Sequence, residues 1–199
     1  MRTVQYFLSP RSPWTYLGHD RLMKLAERHG VEVQPMPFDL SDKVFPISGG
    51  LPLPKRSPQR QAYRLIELRR WSSWLDIPLV LQPRYFPVDD LAASLMIALC
   101  AERFGHQAAN RLAGAFMAAV WAQERNIADP DTLQAIAAEQ GLDGAMLYHE
   151  RSAGQAAYEL NTARAIEHQV FGAPWYVYNG EPFWGQDRLD FLDRALAAG

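Results

Sequence analysis

The chain has 199 residues, 48% of them hydrophobic and 21% charged, with a formal net charge of -2. That is enough for a sizeable core, and the charge offers no electrostatic footprint for nucleic acid or an anionic membrane. No stretch reaches the length of a membrane span, and a single cysteine leaves no internal disulfide, Cys-x-x-Cys redox pair or thiolate metal site.

Read in order, Val4 to Leu8 is a short apolar run that predicts a strand, with none of the basic and apolar regions of a signal peptide before it. A cytoplasmic location is therefore expected, and the near-neutral charge points to a small molecule or another protein as the partner. Ser9-Pro10-Arg11-Ser12-Pro13-Trp14 leads from this strand into a helical pattern over 14–29, with Leu22, Leu25 and Ala26 inward and Gly30 as its cap. Ser12 before Pro13 suits a helix start. Its hydroxyl there serves either as a plain cap or as part of an anion site among free amides at the positive end of the helix. Val31 to Phe38 alternates like a strand, and Pro35 and Pro37 place it at a sheet edge.

From Asp39 to Pro58 the breakers Pro46, Gly49, Gly50, Pro52 and Pro54 predict an irregular segment, long enough to be functional. Tyr63, Ile66, Trp71 and Leu75 then mark a helix whose other face carries Arg64 and Arg69, followed by extended connections at 77–80 and 82–87. The next helix spans 90–104 behind Asp89 or Asp90. Leu112, Ala115, Phe116, Ala119 and Val120 give another helical stripe; Asp129-Pro130 and Asp143 start two more helices; and Ala163, Ile166 and Val170 mark one over 153–169. Cys100, within Leu95 to Leu99 and its neighbours, reads as a buried small hydrophobe. Trp175 to Tyr178 is a strand, Asn179-Gly180 a hairpin turn, Phe183-Trp184 the return strand, and Gly185-Gln186-Asp187 opens a final helix with Leu189, Leu192 and Leu196 inward. The order is β-α-β, a large helical insertion, then β-β-α. It predicts an α/β thioredoxin-like fold in which 1–40 and 170–199 form one domain and 41–169 a helical insertion domain.

Three stretches together, Ser12 to Leu17, Val170 to Pro174 and Trp184 to Leu189, resemble the motifs of the 2-hydroxychromene-2-carboxylate isomerases and the related kappa-class glutathione transferases. These are glutathione-using branches of the DsbA-like thioredoxin fold, and the similarity extends over essentially the whole chain. The resemblance implies glutathione as cofactor, with Ser12 as the catalytic residue, standing where other thioredoxin relatives keep a reactive cysteine. A hydroxyl donor and helix-start amides favour a thiolate over a thiol. It further implies that Ala173-Pro174 is a cis pair whose first residue lines the backbone of the tripeptide, and that Trp184, Gly185, Gln186 and Asp187 hold its γ-glutamyl end; without the family, Ala173-Pro174 reads as trans and Asp187 as a helix cap. Arg60 falls on the family's lysine and meets either the glycyl carboxylate or the substrate's carboxylate, while Lys43 and Tyr85 fall on the substrate side.

The sequence departs from the family pattern at three places: Ser9-Pro10 replaces an Asp-Phe pair, Gln186 stands where Asn is frequent, and an Asn is missing around Ser48 to Gly50. No metal-ligand spacing joins His19, His29, His106, His149 or His168, and none is assigned a role; His168 reads as a packed or capping residue. The function implied is glutathione-dependent isomerisation of 2-hydroxychromene-2-carboxylate or a similar aromatic 2-oxo acid, by a homodimer. The alternatives are a kappa-type transferase that leaves glutathione on an electrophile, and a non-enzymatic thioredoxin-like binding module.

Overall fold

A computed structural model describes residues 2–199. Strand β1 (Thr3–Leu8) lies inside a four-stranded sheet of order β2-β1-β3-β4, with β2 spanning Glu32–Pro37, β3 Trp175–Tyr178 and β4 Glu181–Trp184. β1 runs parallel to β2, from Thr3 opposite Glu32 to Leu8 opposite Pro37, and antiparallel to β3, which pairs antiparallel with β4. β2 is at the edge, as its two prolines require. Asn179 and Gly180 both have positive φ, at 50° and 81°, the turn geometry that matches the twist of a two-residue hairpin.

The crossover from β1 to β2 is α1 (Pro13–His29), begun by Ser12 and closed by Gly30 in the left-handed conformation. Six helices then precede β3: α2 (Phe45–Ser48), α3 (Pro58–Leu75), α4 (Leu91–Trp121), α5 (Pro130–Glu139), α6 (Gly144–His149) and α7 (Gln155–Glu167); α8 (Leu189–Ala198) follows β4. α4 contains both stripes expected for 90–104 and around 112–120. They are separated by a kink at Gly105, whose φ of 82° and ψ of 169° interrupt the helix and admit glycine without steric cost. The sheet has two covered faces. Val4, Tyr6 and Leu8 share one core with Leu22 of α1, Leu112 and Phe116 of α4, Leu133 of α5 and Leu192 of α8, while Phe7, Met36, Trp175 and Val177 pack on the other face with Val44 and Ala165. Sheet and helical lobe are thus joined through a common core.

Three expectations change. The segment after Asp39 is not irregular throughout: a π-type turn over Leu40–Val44, the short α2 and a 3-10 turn over Leu53–Lys55 order it, with the Asp39 carboxylate accepting from the Asp42 amide at 2.9 Å. The prolines fall at the starts of these turns, where a missing N–H costs nothing. In α7 the buried face is Asn161, Thr162 and Ala165 rather than Ala163 and Ile166, and Ile166 is exposed. The cause lies in the edge strand. Pro37 and Val33 of β2 have carbonyls with no neighbouring strand to accept from. Asn161 donates to Pro37 O at 3.2 Å, Asn110 of α4 donates to Val33 O at 2.8 Å, and Thr162 accepts from the Asp39 amide at 3.0 Å. A buried amide covers an edge that an apolar residue would leave unsatisfied. In α3 the only buried residue is Leu68, and Tyr63 and Ile66 are exposed, because this helix forms a wall over a cleft instead of burying a stripe in the core.

Candidate active site

The end of β1 and the start of α1 build the site. Ser12 has extended backbone (φ -83°, ψ 122°), its Oγ accepts from the Thr15 amide at 3.2 Å, and no acidic residue occupies the first turn of α1 to neutralise its positive end. The same hydroxyl donates to Ala173 O at 3.3 Å, across to the loop before β3. Its own cap and that carbonyl hold the side chain between two loops.

The Ser9–Arg11 turn is fastened from behind. Ser9, buried, donates to Asp90 Oδ2 at 2.8 Å, and Arg11 places Nε 3.3 Å from Asp90 Oδ1 and donates from Nη2 to Ser41 Oγ at 2.6 Å. Asp90 therefore stands at the N-cap position of α4 without capping it: its carboxylate serves the turn, and Asp89 accepts from the Leu91 amide instead. Burial raises the Asp90 pKa, and the Arg11 charge and the Ser9 hydroxyl pull it back.

Opposite Ser12, Ala173-Pro174 is a cis pair, and Pro174 O accepts from the Gly185 amide at 3.0 Å, tying the loop before β3 to the one after β4. Gly185 has φ 101° and ψ 152°, a conformation that side-chain-bearing residues rarely adopt, and a Cβ there would meet Asp187 Oδ1 at 2.6 Å. Phe171 and Trp184 pack edge to face at 4.5 Å and form a half-exposed aromatic lip. Gln186 is buried, its side-chain oxygen accepting from Arg21 Nη1 of α1 at 2.6 Å; Asp187 is exposed and pairs with Arg188 at 2.7 Å.

These loops and α3 enclose a cleft of about 920 Å³. Of the residues anticipated from sequence, Ser12, Arg60, Ala173, Trp184, Gly185, Gln186 and Asp187 line it, and Pro174 holds its wall through the bond to Gly185. Lys43 and Tyr85 do not line it. Lys43 lies exposed on the π-type turn, and Tyr85 is turned to solvent beneath the Arg84 guanidinium, 5.3 Å from its ring centre. Phe86, which adjoins Tyr85 and forms a second cis pair with Pro87, takes the inner place.

Sequence reasoning missed Phe86, Trp71 and the cationic character of the α3 wall. Arg56, Arg60 and Arg64 all line the cleft, and Arg64 belongs to this face rather than to an outer one. A spacing of four residues was the available signal. Arg64 lies with its guanidinium carbon 5.3 Å from the Phe86 ring centre and 5.6 Å from that of Trp121. Burial, with Arg56 nearby, lowers its pKa to about 10, so it keeps its charge at neutral pH. Cys100 is buried away from this cleft with its thiol pushed up to about 11 by burial. A half-buried surplus of positive charge beside a hydroxyl at a helix start is a place for an anionic, sulfur-bearing ligand.

A family model described as a DSBA-like thioredoxin domain matches residues 3–197. A curated 2-hydroxychromene-2-carboxylate isomerase from Pseudomonas putida is 31% identical to this chain, covering 97% of it and 93% of the relative. The chain belongs to the 2-hydroxychromene-2-carboxylate isomerase family. A solved structure of a 2-hydroxychromene-2-carboxylate isomerase superposes with a TM-score of 0.84 at 26% identity, covering 98% of this chain and 95% of that one. The isomerase family borders another: a kappa glutathione S-transferase from Caenorhabditis elegans is 21% identical, covering 95% of this chain and 88% of its own. The mixed sheet with α4 inserted in its middle is accordingly a DsbA-like thioredoxin fold. Relatives named as isomerases support an isomerase here. Among the described residues no helix is long and apolar enough to cross a membrane.

Proposed function

We propose that this chain is a glutathione-dependent isomerase that converts 2-hydroxychromene-2-carboxylate, or a similar aromatic 2-oxo acid, to the trans-benzylidenepyruvate. The observation that carries the reading is the Ser12 hydroxyl, fixed at an uncompensated helix start and facing the Ala173 carbonyl, in a chain with no cysteine at that place. The names of the relatives, isomerases and a kappa transferase, support the same chemistry.

The residues present fit the tripeptide. Ser12, turning its one O–H from Ala173 O, would donate to the sulfur and, with the positive end of α1, would lower the free energy of the thiolate relative to the thiol. The Ala173 backbone would line its cysteinyl unit, Asp187 would take the γ-glutamyl ammonium, and the Gly185 to Arg188 turn and Arg60 would take the two carboxylates. When bound, glutathione would supply a thiolate nucleophile for reversible addition to a conjugated carbon, the chemistry that permits ring opening and rotation with no net consumption of the tripeptide. The chain's remaining contribution is electrostatic: the net positive charge of the α3 wall favours the enolate oxygen that develops, and the Phe171, Trp184 and Phe86 rings exclude water from it. A homodimer in the cytoplasm belongs to this reading.

A kappa-type transferase is the second reading, favoured by the C. elegans relative. The two differ in the fate of the adduct. Purified chain with a chromene carboxylate should give a new carbonyl chromophore with free thiol conserved, at a rate that Ser12→Ala lowers by about 100- to 1,000-fold. Stoichiometric loss of thiol, with that acid or with a halo-nitroarene, assigns the transferase outcome instead. No turnover, no measurable glutathione affinity and no effect of Ser12→Ala would leave a binding module.

A further inference from the structure

On the α3 wall Arg60 and Arg64 both lack an ion pair or hydrogen bond from the guanidinium among the described residues, and Arg64 is the deeper of the two. It has neither an ion pair nor a hydrogen bond among the described residues, although it is only half exposed and carries five N–H donors. Its neighbours make the contrast plain. Arg11 is held by Asp90, Ser41 and Val88, Arg188 by Asp187, and Arg70 by Glu67 at 2.6 Å, which occupies the carboxylate one turn along from Arg64. Arg56 donates from Nε to Leu51 O at 2.8 Å. Two aromatic rings, Phe86 and Trp121, themselves 4.8 Å apart, have their centres 5.3 and 5.6 Å from the Arg64 guanidinium carbon. A guanidinium held beside rings with none of its N–H groups partnered keeps a planar fork of donors available for a planar anion.

We propose that Arg64 is the receptor for the carboxylate of the second substrate, an aromatic 2-oxo acid whose ring system lies against Phe86 and Trp71. The inference rests on the isomerase reading for the substrate class. It divides the labour of the wall: Arg60, exposed and at the first turn of α3, serves the tripeptide, whereas Arg64, deeper and beside the rings, serves the acid. Lys43 has no part in it, being outside the cleft.

The test is calorimetric titration of the full chain, wild type, Arg64→Met and Arg64→Lys, with a benzylidenepyruvate and with its methyl ester, in the absence of glutathione, and with glutathione alone. Methionine keeps a side chain beside the rings and removes the charge. Wild type is expected to prefer the acid over the ester, and Arg64→Met to weaken the acid by about 10- to 100-fold, the range for a charge-assisted pair, to leave the ester within about twofold, and to leave glutathione affinity unchanged. Arg64→Lys should recover part of the preference, a point charge lacking the fork. A loss of acid and ester together, an acid affinity untouched in Arg64→Met, or a wild type that does not distinguish the two, each overturns the proposal. If Arg64→Met does not give the wild-type melting curve, the decision passes to Arg64→Lys, whose failure to separate from wild type is equally contrary. Turnover keeps the two readings apart. An acid preference that depends on Arg64 without any glutathione-dependent isomerisation would uphold the receptor and remove the isomerase; glutathione-dependent isomerisation with an acid affinity indifferent to Arg64 would do the reverse.

Discussion

Two cavities of nearly equal size open on this molecule, about 920 Å³ beside Ser12 and about 950 Å³ beside His19, and they differ in everything except volume. The second lies between α1, the start of β2, α4 and α5. Its charges are mixed in sign and near balance: Asp20, Glu27, Glu32 and Glu139 share the lining with Lys24, Arg111 and Arg125, His106 lies 3.0 Å from Glu32, and Arg125 makes a forked pair with Glu139 at 2.8 and 3.0 Å. Around the first cavity the unpaired charges are arginines, a helix start is left uncompensated, and two positive-φ glycines, Gly49 and Gly185, shape the loops. Volume does not locate chemistry here. Electrostatic imbalance does, because a chain that tolerates several unpaired cations in a cleft forgoes stability unless an anion visits.

The comparison can be sharpened on the His19 side first, where the largest effect on stability is expected. His19 lies 3.3 Å from the Tyr6 hydroxyl, and burial lowers its pKa to about 4, against smaller opposing effects from the Asp20 charge and a hydrogen bond to the Asn110 backbone. The folded state thus keeps His19 neutral while the unfolded chain protonates it near pH 6.5. Stability from this group is complete above pH 6.5 and is lost as pH falls from 6.5 to about 4, by roughly 3 kcal/mol in all. Denaturant titrations across that window should show the loss in wild type and not in His19→Gln, and parallel curves would refute it.

Asp90→Ala comes next. It leaves Ser9 and Arg11 without their shared partner, and a loss of about 2 kcal/mol with weaker glutathione binding is expected from urea unfolding and calorimetry. An unchanged glutathione affinity would mean that the Ser9–Arg11 turn is held in place by other contacts. Smallest is Arg125→Gln, whose exposed partner limits the change to below about 1 kcal/mol. It should also leave any glutathione-dependent rate as it was, and a falling rate would draw the second cavity into the chemistry.

Legibility in the sequence followed the range of the forces involved. The Ser12, Asp129 and Asp143 caps, the Gly30 C-cap and the Asn179-Gly180 hairpin are set within four residues and were readable, each side-chain cap now seen bonded to an amide three residues on. What depended on distant partners was not. Asn161 is buried because the Pro37 carbonyl of a sequence-distant edge strand needs a donor, Thr162 because the Asp39 amide just past that strand needs an acceptor, and Arg64 faces the cleft because Leu68 alone anchors α3 inward. The substrate side suffered most. Resemblance pointed to Lys43 and Tyr85, one residue from the Phe86 that lines the cleft, since a loop can shift a side chain across a wall by a single position without changing its pattern of breakers.

The central claim is that the Ser12 hydroxyl sets the ionisation of a borrowed thiol, and the most direct measurement is ultraviolet titration of the thiolate of glutathione bound to the wild-type chain and to Ser12→Ala. The account requires the bound thiol to ionise at least one pH unit below the free tripeptide in wild type, and to return most of the way in the variant. Identical curves for the two proteins, with glutathione bound in both, would contradict it.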